Sequence, residues 1–232
     1  MNKQNLILLH GALGSKKQLE PLKHILADEF HIYNLNFEGH GGRLSNNEFS
    51  IDLFLSNVLD LIHEKGIEGT NIFGYSMGGY VALKLALDHA ELVGRIVTLG
   101  TKFNWTKESA EKEVRMLNPA KVEEKVPAFA RHLQKIHAPC DWKEVMSKTS
   151  RMMINMGNGN QLSEDDLRRI SAQVLIGIGG LDKMVSVEES RSAAHLLPHG
   201  EFMVIEGFQH PFETIDMGRM ADILSNFIAK HS

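Results

Sequence analysis

The stretch that most constrains this chain is Thr70-Asn71-Ile72-Phe73-Gly74-Tyr75-Ser76-Met77-Gly78-Gly79-Tyr80. Asn71 to Phe73 reads as a short strand, and Val81-Ala82-Leu83-Lys84-Leu85-Ala86-Leu87 is built from strong helix formers. Between them lies Gly74-x-Ser76-x-Gly78, so the chain must pass from strand to helix within a few residues. At the tip of such a turn the serine backbone is strained and its Oγ is pushed out of the sheet, while the small glycines let strand and helix pass closely.

A serine hydroxyl is a poor nucleophile at neutral pH. Chemistry at Ser76 would need a base, an acid to orient that base, and donors for a developing oxyanion. Without them Ser76 is a helix N-cap.

The frame for these partners is an alternation of strands and helices. Leu6 to Leu9 is a continuous apolar run, as in a parallel strand buried on both faces, and it ends at His10-Gly11-Ala12-Leu13-Gly14-Ser15. Leu19, Leu22, Ile25 and Leu26 recur at helical spacing, with Pro21 in the first turn. His31 to Leu35 is the next strand, followed by the glycine-rich loop Asn36-Phe37-Glu38-Gly39-His40-Gly41-Gly42-Arg43-Leu44-Ser45. Ser50 caps a helix with the apolar stripe Ile51, Phe54, Leu55, Val58, Leu59 and Ile62, stopped at Gly66. After the Ser76 elbow, Arg95 to Leu99 is a fourth strand, and the alternation implies a parallel sheet with right-handed crossovers.

From Thr101 to about Arg169 the alternation stops. Amphipathic helices punctuated by Pro119, Pro127 and Pro139 form a segment too long for an ordinary connection, hence a folded insertion. Trp105, Phe129, Trp142, Met146, Met152, Met153 and Met156 supply its apolar content. Such residues at helical spacing are commonly packing, yet an insertion between two strands lies over the carboxyl ends of the sheet, and some of them should line a pocket. Ser163 and Asp166 form a capping box opening a helix from Glu164 to Ile170. Strands at Val174–Ile178 and Phe202–Ile205 flank a helix from Val187 to Leu197, and a helix from Phe212 to Lys230 closes the chain.

Composition narrows the function. The chain has 232 residues and a net charge of -4, which argues against a nucleic-acid or anionic-membrane partner and for a small-molecule substrate. Cys140 is the only cysteine, so an intramolecular disulfide framework and paired-cysteine metal sites are excluded. The apolar run at Leu6 is too short for a signal peptide and no stretch spans a bilayer, so the expectation is a cytoplasmic protein, monomer or homodimer, without a membrane partner. No sequence resembles a metal-binding, P-loop or dinucleotide motif, and no cofactor is expected.

Asp182 stands just past one late strand and His210 just past the next, so both should lie at the sheet edge that carries Ser76. With His10-Gly11, the Gly39-His40-Gly41 loop, Gly74-Tyr75-Ser76-Met77-Gly78-Gly79, Gly179-x-x-Asp182 and Gly207-Phe208-Gln209-His210-Pro211 in order, the chain resembles the α/β-hydrolase superfamily over essentially its whole length. The resemblance implies an α/β-hydrolase fold: a mostly parallel sheet of about six strands flanked by helices, with a core of residues 1–100 and 171–232 and a helical cap at 101–170.

It further implies that Ser76 is the nucleophile, His210 the general base and later acid, and Asp182 the group that orients the imidazole. The oxyanion would be held by the backbone N–H of Met77 and that of Ala12, with Leu13 as second choice. His10 and His40 are expected to be structural. Two departures from relatives bear on the pocket: Asn36 where aspartate is common, and an extra residue after Gly41.

The expected activity is cofactor-independent hydrolysis of a carboxylic ester with a small or medium acyl group. Alternatives are a carbon–carbon bond hydrolase or a menaquinone-pathway-like lyase with the same triad, or a small-molecule binding protein. A cap arginine, Arg115, Arg131 or Arg151, would serve an acidic substrate, but basic and acidic residues nearly balance in the cap, which favours solvated helix faces for them. Dehalogenase and epoxide-hydrolase chemistry needs an aspartate where Ser76 stands.

Overall fold

A computed structural model describes residues 3–230. Six strands, β1 (Gln4–Leu9), β2 (Phe30–Asn34), β3 (Thr70–Tyr75), β4 (Val93–Leu99), β5 (Gln173–Gly179) and β6 (Gly200–Ile205), form one sheet in the order β2-β1-β3-β4-β5-β6, and every neighbouring pair is parallel. The apolar runs that marked the strands are buried on both faces. Ile7, Leu9, Ile72, Ile96, Val174 and Ile176 pack into a core on one side, and Leu6, Leu8, Phe73, Val97 and Leu175 into a core on the other.

The described residues also form ten α-helices: α1 (Glu20–Leu26), α2 (Ile51–Lys65), α3 (Met77–Asp88), α4 (Lys107–Val114), α5 (Pro119–Lys125), α6 (Pro127–His137), α7 (Trp142–Asn155), α8 (Glu164–Arg169), α9 (Val187–Leu196) and α10 (Met217–Lys230). Leu19, Leu22 and Leu26 beside and within α1 pack with Met220, Leu224 and Phe227 of α10 on one face, while α2, α3 and α9 cover the other. Ile25 differs from expectation: it is 47% exposed, because Leu19, Leu22 and Leu26 already define the buried stripe and Ile25 falls beyond its edge.

Local chemistry sets the helix ends. Ser50 Oγ accepts the Leu53 amide at 3.0 Å, and Gly66 closes α2 in the left-handed conformation at φ 59°. The capping box of Ser163 and Asp166 is present at α8. The closing helix starts later than the sequence suggests. Phe212–Thr214 is one 3₁₀ turn, and α10 begins only after Asp216, whose side chain accepts the Arg219 amide at 3.0 Å and supplies a new N-cap.

Between β4 and β5, helices α4 to α8 form the insertion. Its own small core holds Val122, Ala130, Leu133, Trp142 and Met146, whereas Leu167 and Ile170 are buried in the main core. Pro119 and Pro127 occupy the first turns of α5 and α6, where their missing N–H costs no helical hydrogen bond. No helix among the described residues is long and apolar enough to cross a membrane.

Candidate active site

The sheet order reverses between β1 and β3, and Leu9 pairs with Gly74 in the register of those strands. The loops after β1 and β3 are therefore neighbours at the carboxyl edge, where open α/β sheets bind ligands. Ser76 occupies the turn after β3 with φ 50° and ψ −115°, outside the regions a serine ordinarily adopts. It is held there by its own amide, which donates to the Leu99 carbonyl at 2.8 Å, and by Thr101 Oγ1–H, which donates to the Ser76 carbonyl at 3.0 Å. A Cβ on Gly74 would collide with the Gly79 backbone and one on Gly78 with the Leu9 carbonyl, so the close passage of strand and helix needs both glycines.

Asp182 follows β5 and His210 follows β6. Asp182 Oδ2 accepts from His210 Nδ1 at 2.7 Å, and Oδ1 accepts the amides of Met184 and Val185 at 2.8 and 2.9 Å. The carboxylate side chain is 1% exposed and the imidazole 11%. Burial pushes the Asp182 carboxyl up. The hydrogen bond and charge of His210, with the two amides, outweigh that and hold it below the ordinary aspartate value. Because the carboxylate only accepts, Nδ1 carries the proton and Nε2 is left as a base. No hydrogen bond joins Ser76 Oγ to the imidazole among the described residues; such bonds often close only around substrate.

Ser76 opens onto a small, mainly apolar cavity of about 40 Å³. Ala12 and Met77 line it, and neither of their amides has an acceptor among the described residues. The apolar residues of the insertion separate cleanly. Trp105, Met152, Met153 and Met156 line this cavity, Trp142 and Met146 fill the insertion's own core, and Phe129 is 41% exposed. A larger groove of about 610 Å³ shares Ile51, Tyr80, Met152 and Met156 with the cavity but is not lined by Ser76. Its cations are answered from within: Lys84 pairs with Asp52 and Asp88, and Arg169 with Asp166.

Sequence reading missed three residues. Gly100, at φ 63° after β4, lies against the His–Asp pair, and a Cβ there would stand 3.2 Å from His210 Nδ1 and 3.3 Å from Asp182 Oδ2. Lys102 lines the Ser76 cavity and pairs with Glu113 at 3.3 Å, whereas Arg115 and Arg131 are exposed and Arg151 pairs with Glu48 and Glu144. None of the three arginines lines the cavity, in keeping with their reading as solvated helix faces. His137 is the third; its place on the apolar stripe of α6 with Ala130 and Leu133 was the available signal.

His10 and His40 are fully buried, with imidazoles hydrogen-bonded to backbone. His10 Nε2 accepts the Phe37 amide at 3.2 Å and Nδ1–H donates to the Gly11 carbonyl at 2.8 Å. Burial lowers the pKa of His10 and of His137 to about 4, and that of His40 well below its ordinary value. Asn36 explains one departure in the glycine-rich loop: Nδ2 donates to the Gly41 carbonyl at 2.8 Å while Oδ1 accepts the Lys16 amide at 2.8 Å. An aspartate could make only the second bond.

A profile of the family described as alpha/beta hydrolase fold matches residues 4–131, more than half of the chain. The chain belongs to the α/β-hydrolase family. This hydrolase is 26% identical over 234 residues to the pimeloyl-[acyl-carrier protein] methyl ester esterase of Vibrio cholerae, covering 91% of this chain and 89% of that protein. It is 35% identical over 103 residues to a probable alcohol acetyltransferase of Cyberlindnera fabianii, a match covering 42% of this chain and only 27% of that longer protein. Among solved structures, the hydrolase superposes with a TM-score of 0.80 on a thermophilic esterase from Thermogutta terrifontis, at 19% identity over 100% of this chain and 92% of that one.

Proposed function

We propose that this hydrolase cleaves a carboxylic ester with a short acyl group through an acyl-enzyme on Ser76. The observation that carries the reading is the 2.7 Å bond from His210 Nδ1 to the buried Asp182, at the same sheet edge as a serine held in a strained elbow. The Vibrio relative, named as a methyl ester esterase, supports ester chemistry.

In this reading Ser76 Oγ attacks the carbonyl carbon and its proton passes to His210 Nε2. Asp182 stabilises the imidazolium that forms. The tetrahedral oxygen receives the free amides of Ala12 and Met77, and Met77 adds the positive end of the α3 dipole. Collapse breaks the bond to the alcohol, which leaves with the proton from His210. A water then gives a proton to the same nitrogen and attacks the acyl carbon; the bond from that carbon to Ser76 Oγ breaks as His210 passes the proton to Oγ, and the acid leaves.

The cavity beside Ser76 has room for about three water-sized groups, which matches an acyl chain of two to four carbons. Residues 101–170 act as a cap over the core of residues 1–100 and 171–232, and Met152, Met153 and Met156 set the size of the acyl chamber. The remainder of the substrate has the larger groove beyond Tyr80 and Met156. The carbon–carbon hydrolase and lyase readings lose the cap arginine that an acidic substrate would use, and Lys102, the cation that does line the cavity, is already paired with Glu113 at 3.3 Å.

The test is turnover of p-nitrophenyl esters of graded acyl length by the wild type and by Ser76→Ala, with fluorophosphonate labelling of both. Labelling confined to the wild type, with turnover greatest for acetate to butyrate, is expected. Turnover that survives Ser76→Ala would overturn the reading.

A further inference from the structure

Among the described residues Leu13 is one of two non-glycine residues with positive φ, at 57°, and the other is Ser76. A leucine in the left-handed region is strained, because its Cβ crowds the backbone, and something must hold it there. Leu13 sits in the turn closed by the Gly14 amide on the Gly11 carbonyl at 3.1 Å. That turn contains Ala12, which lines the Ser76 cavity and whose amide has no acceptor among the described residues. Returning Leu13 to negative φ would rotate the Ala12–Leu13 peptide and move the turn away from the geometry it has here.

Leu13 also packs against the main core, and two further contacts that oppose the rotation come from the insertion. The Leu13 side chain packs against the cluster of Val122, Ala130, Leu133, Trp142 and Met146. The Leu13 carbonyl lies 3.1 Å from His137 Nε2. The other ring nitrogen fixes the roles: Gly41 N–H donates to His137 Nδ1 at 3.1 Å, so Nδ1 is the acceptor and Nε2–H the donor. The imidazole is fully buried at the end of α6.

We propose that His137 is a positioning residue, which donates Nε2–H to the Leu13 carbonyl and so holds the strained turn that aims the Ala12 amide at the substrate carbonyl. The inference rests on the reading of Ala12 as an oxyanion donor. It makes the oxyanion site a joint product of core and insertion: His10 fixes the Gly11 carbonyl from the core side and His137 fixes the Leu13 carbonyl from the insertion side. Docking of the insertion does not depend on His137 alone. Cys140 contacts the Arg43 carbonyl at 3.5 Å, Lys148 donates to the Ser45 carbonyl at 3.3 Å, and Arg151 pairs with Glu48 at 2.7 Å.

The two nitrogens can be separated by substitution. A glutamine at 137 places an amide N–H near the position of Nε2 and can keep the bond to Leu13; an asparagine places its oxygen near Nδ1 and can keep only the bond from Gly41. The measurement is kcat and KM for p-nitrophenyl acetate, with the rate of fluorophosphonate labelling of Ser76, in His137→Gln, His137→Asn and His137→Ala.

Asparagine and alanine are expected to lower kcat and the labelling rate about 10- to 100-fold with KM within about twofold, and glutamine to stay within about threefold of wild type. Equal losses in glutamine and asparagine, or wild-type kcat in a folded alanine variant, would overturn the proposal. If His137→Ala does not fold, the glutamine and asparagine pair decides. If wild-type Ser76 is not labelled at all, the serine reading fails independently of His137; wild-type labelling with unchanged kinetics in His137→Asn sinks the His137 proposal alone.

Discussion

Tyr75 Oη donates to the carbonyl of His210 at 2.7 Å, and the two rings lie 5.5 Å apart. The residue before the proposed nucleophile thus anchors the loop that carries the proposed base. Burial pushes the Tyr75 hydroxyl pKa well up, so it stays protonated and keeps donating at any pH the protein tolerates. Tyr75→Phe removes only this bond. It should lower kcat about tenfold with little change in KM and cost about 1 kcal/mol in urea unfolding. An unchanged kcat would show that the His210 loop holds its place without Tyr75.

Gly100 packs on the His210–Asp182 pair with φ 63°. A methyl group there meets both atoms of their hydrogen bond more tightly than ordinary contact allows, and alanine also resists that backbone. Gly100→Ala should lose about 1 to 2 kcal/mol of stability, and its kcat should fall further than that of a surface variant of equal stability. Measuring both in the same preparation separates local crowding from global loss.

The three buried histidines give acid sensitivity in a defined window. Their folded pKa values lie below the unfolded value near 6.5, with His10 and His137 at about 4. Between those limits the unfolded chain binds protons that the folded chain refuses, so stability falls as pH drops from 6.5 toward 4. Each histidine contributes a slope of up to about 1.4 kcal/mol per pH unit. Asp182 acts elsewhere: its carboxyl is held below 3.8, so its contribution persists through this window and is lost only at lower pH. Urea unfolding at pH 7, 6, 5 and 4.5 should show the decline, and a flat curve would contradict it.

Met153 is partly buried and lines the Ser76 cavity, so shortening it enlarges the chamber at less cost than removing a core side chain. Met153→Ala should shift the preferred p-nitrophenyl ester toward longer acyl chains by about two to three carbons, since each methylene in an apolar site contributes about 0.8 kcal/mol. A profile of unchanged shape would assign chain length to another wall.

The sequence by itself determined the strand and helix layers and where Ser76, Asp182 and His210 fall along the chain. Those features are written locally. Strands buried on both faces read as apolar runs such as Leu6–Leu9, helix ends are marked by Ser50, Gly66 and Ser163, and the elbow needs its glycines within five residues. Tertiary structure decided the rest.

Nothing near Gly100 in the chain foretells His210, which lies more than a hundred residues away, and only the register of β4, β5 and β6 brings them together. Met146 and Met156 look alike on the insertion, yet one fills its small core and the other lines the Ser76 cavity, because each side is defined only by what the folded insertion packs against there. His137 is the one polar residue on the buried stripe that it shares with Ala130 and Leu133. Its bonds to Leu13 and Gly41 exist only once the insertion is folded back on the sheet, since a buried imidazole finds its partners through packing rather than along the chain.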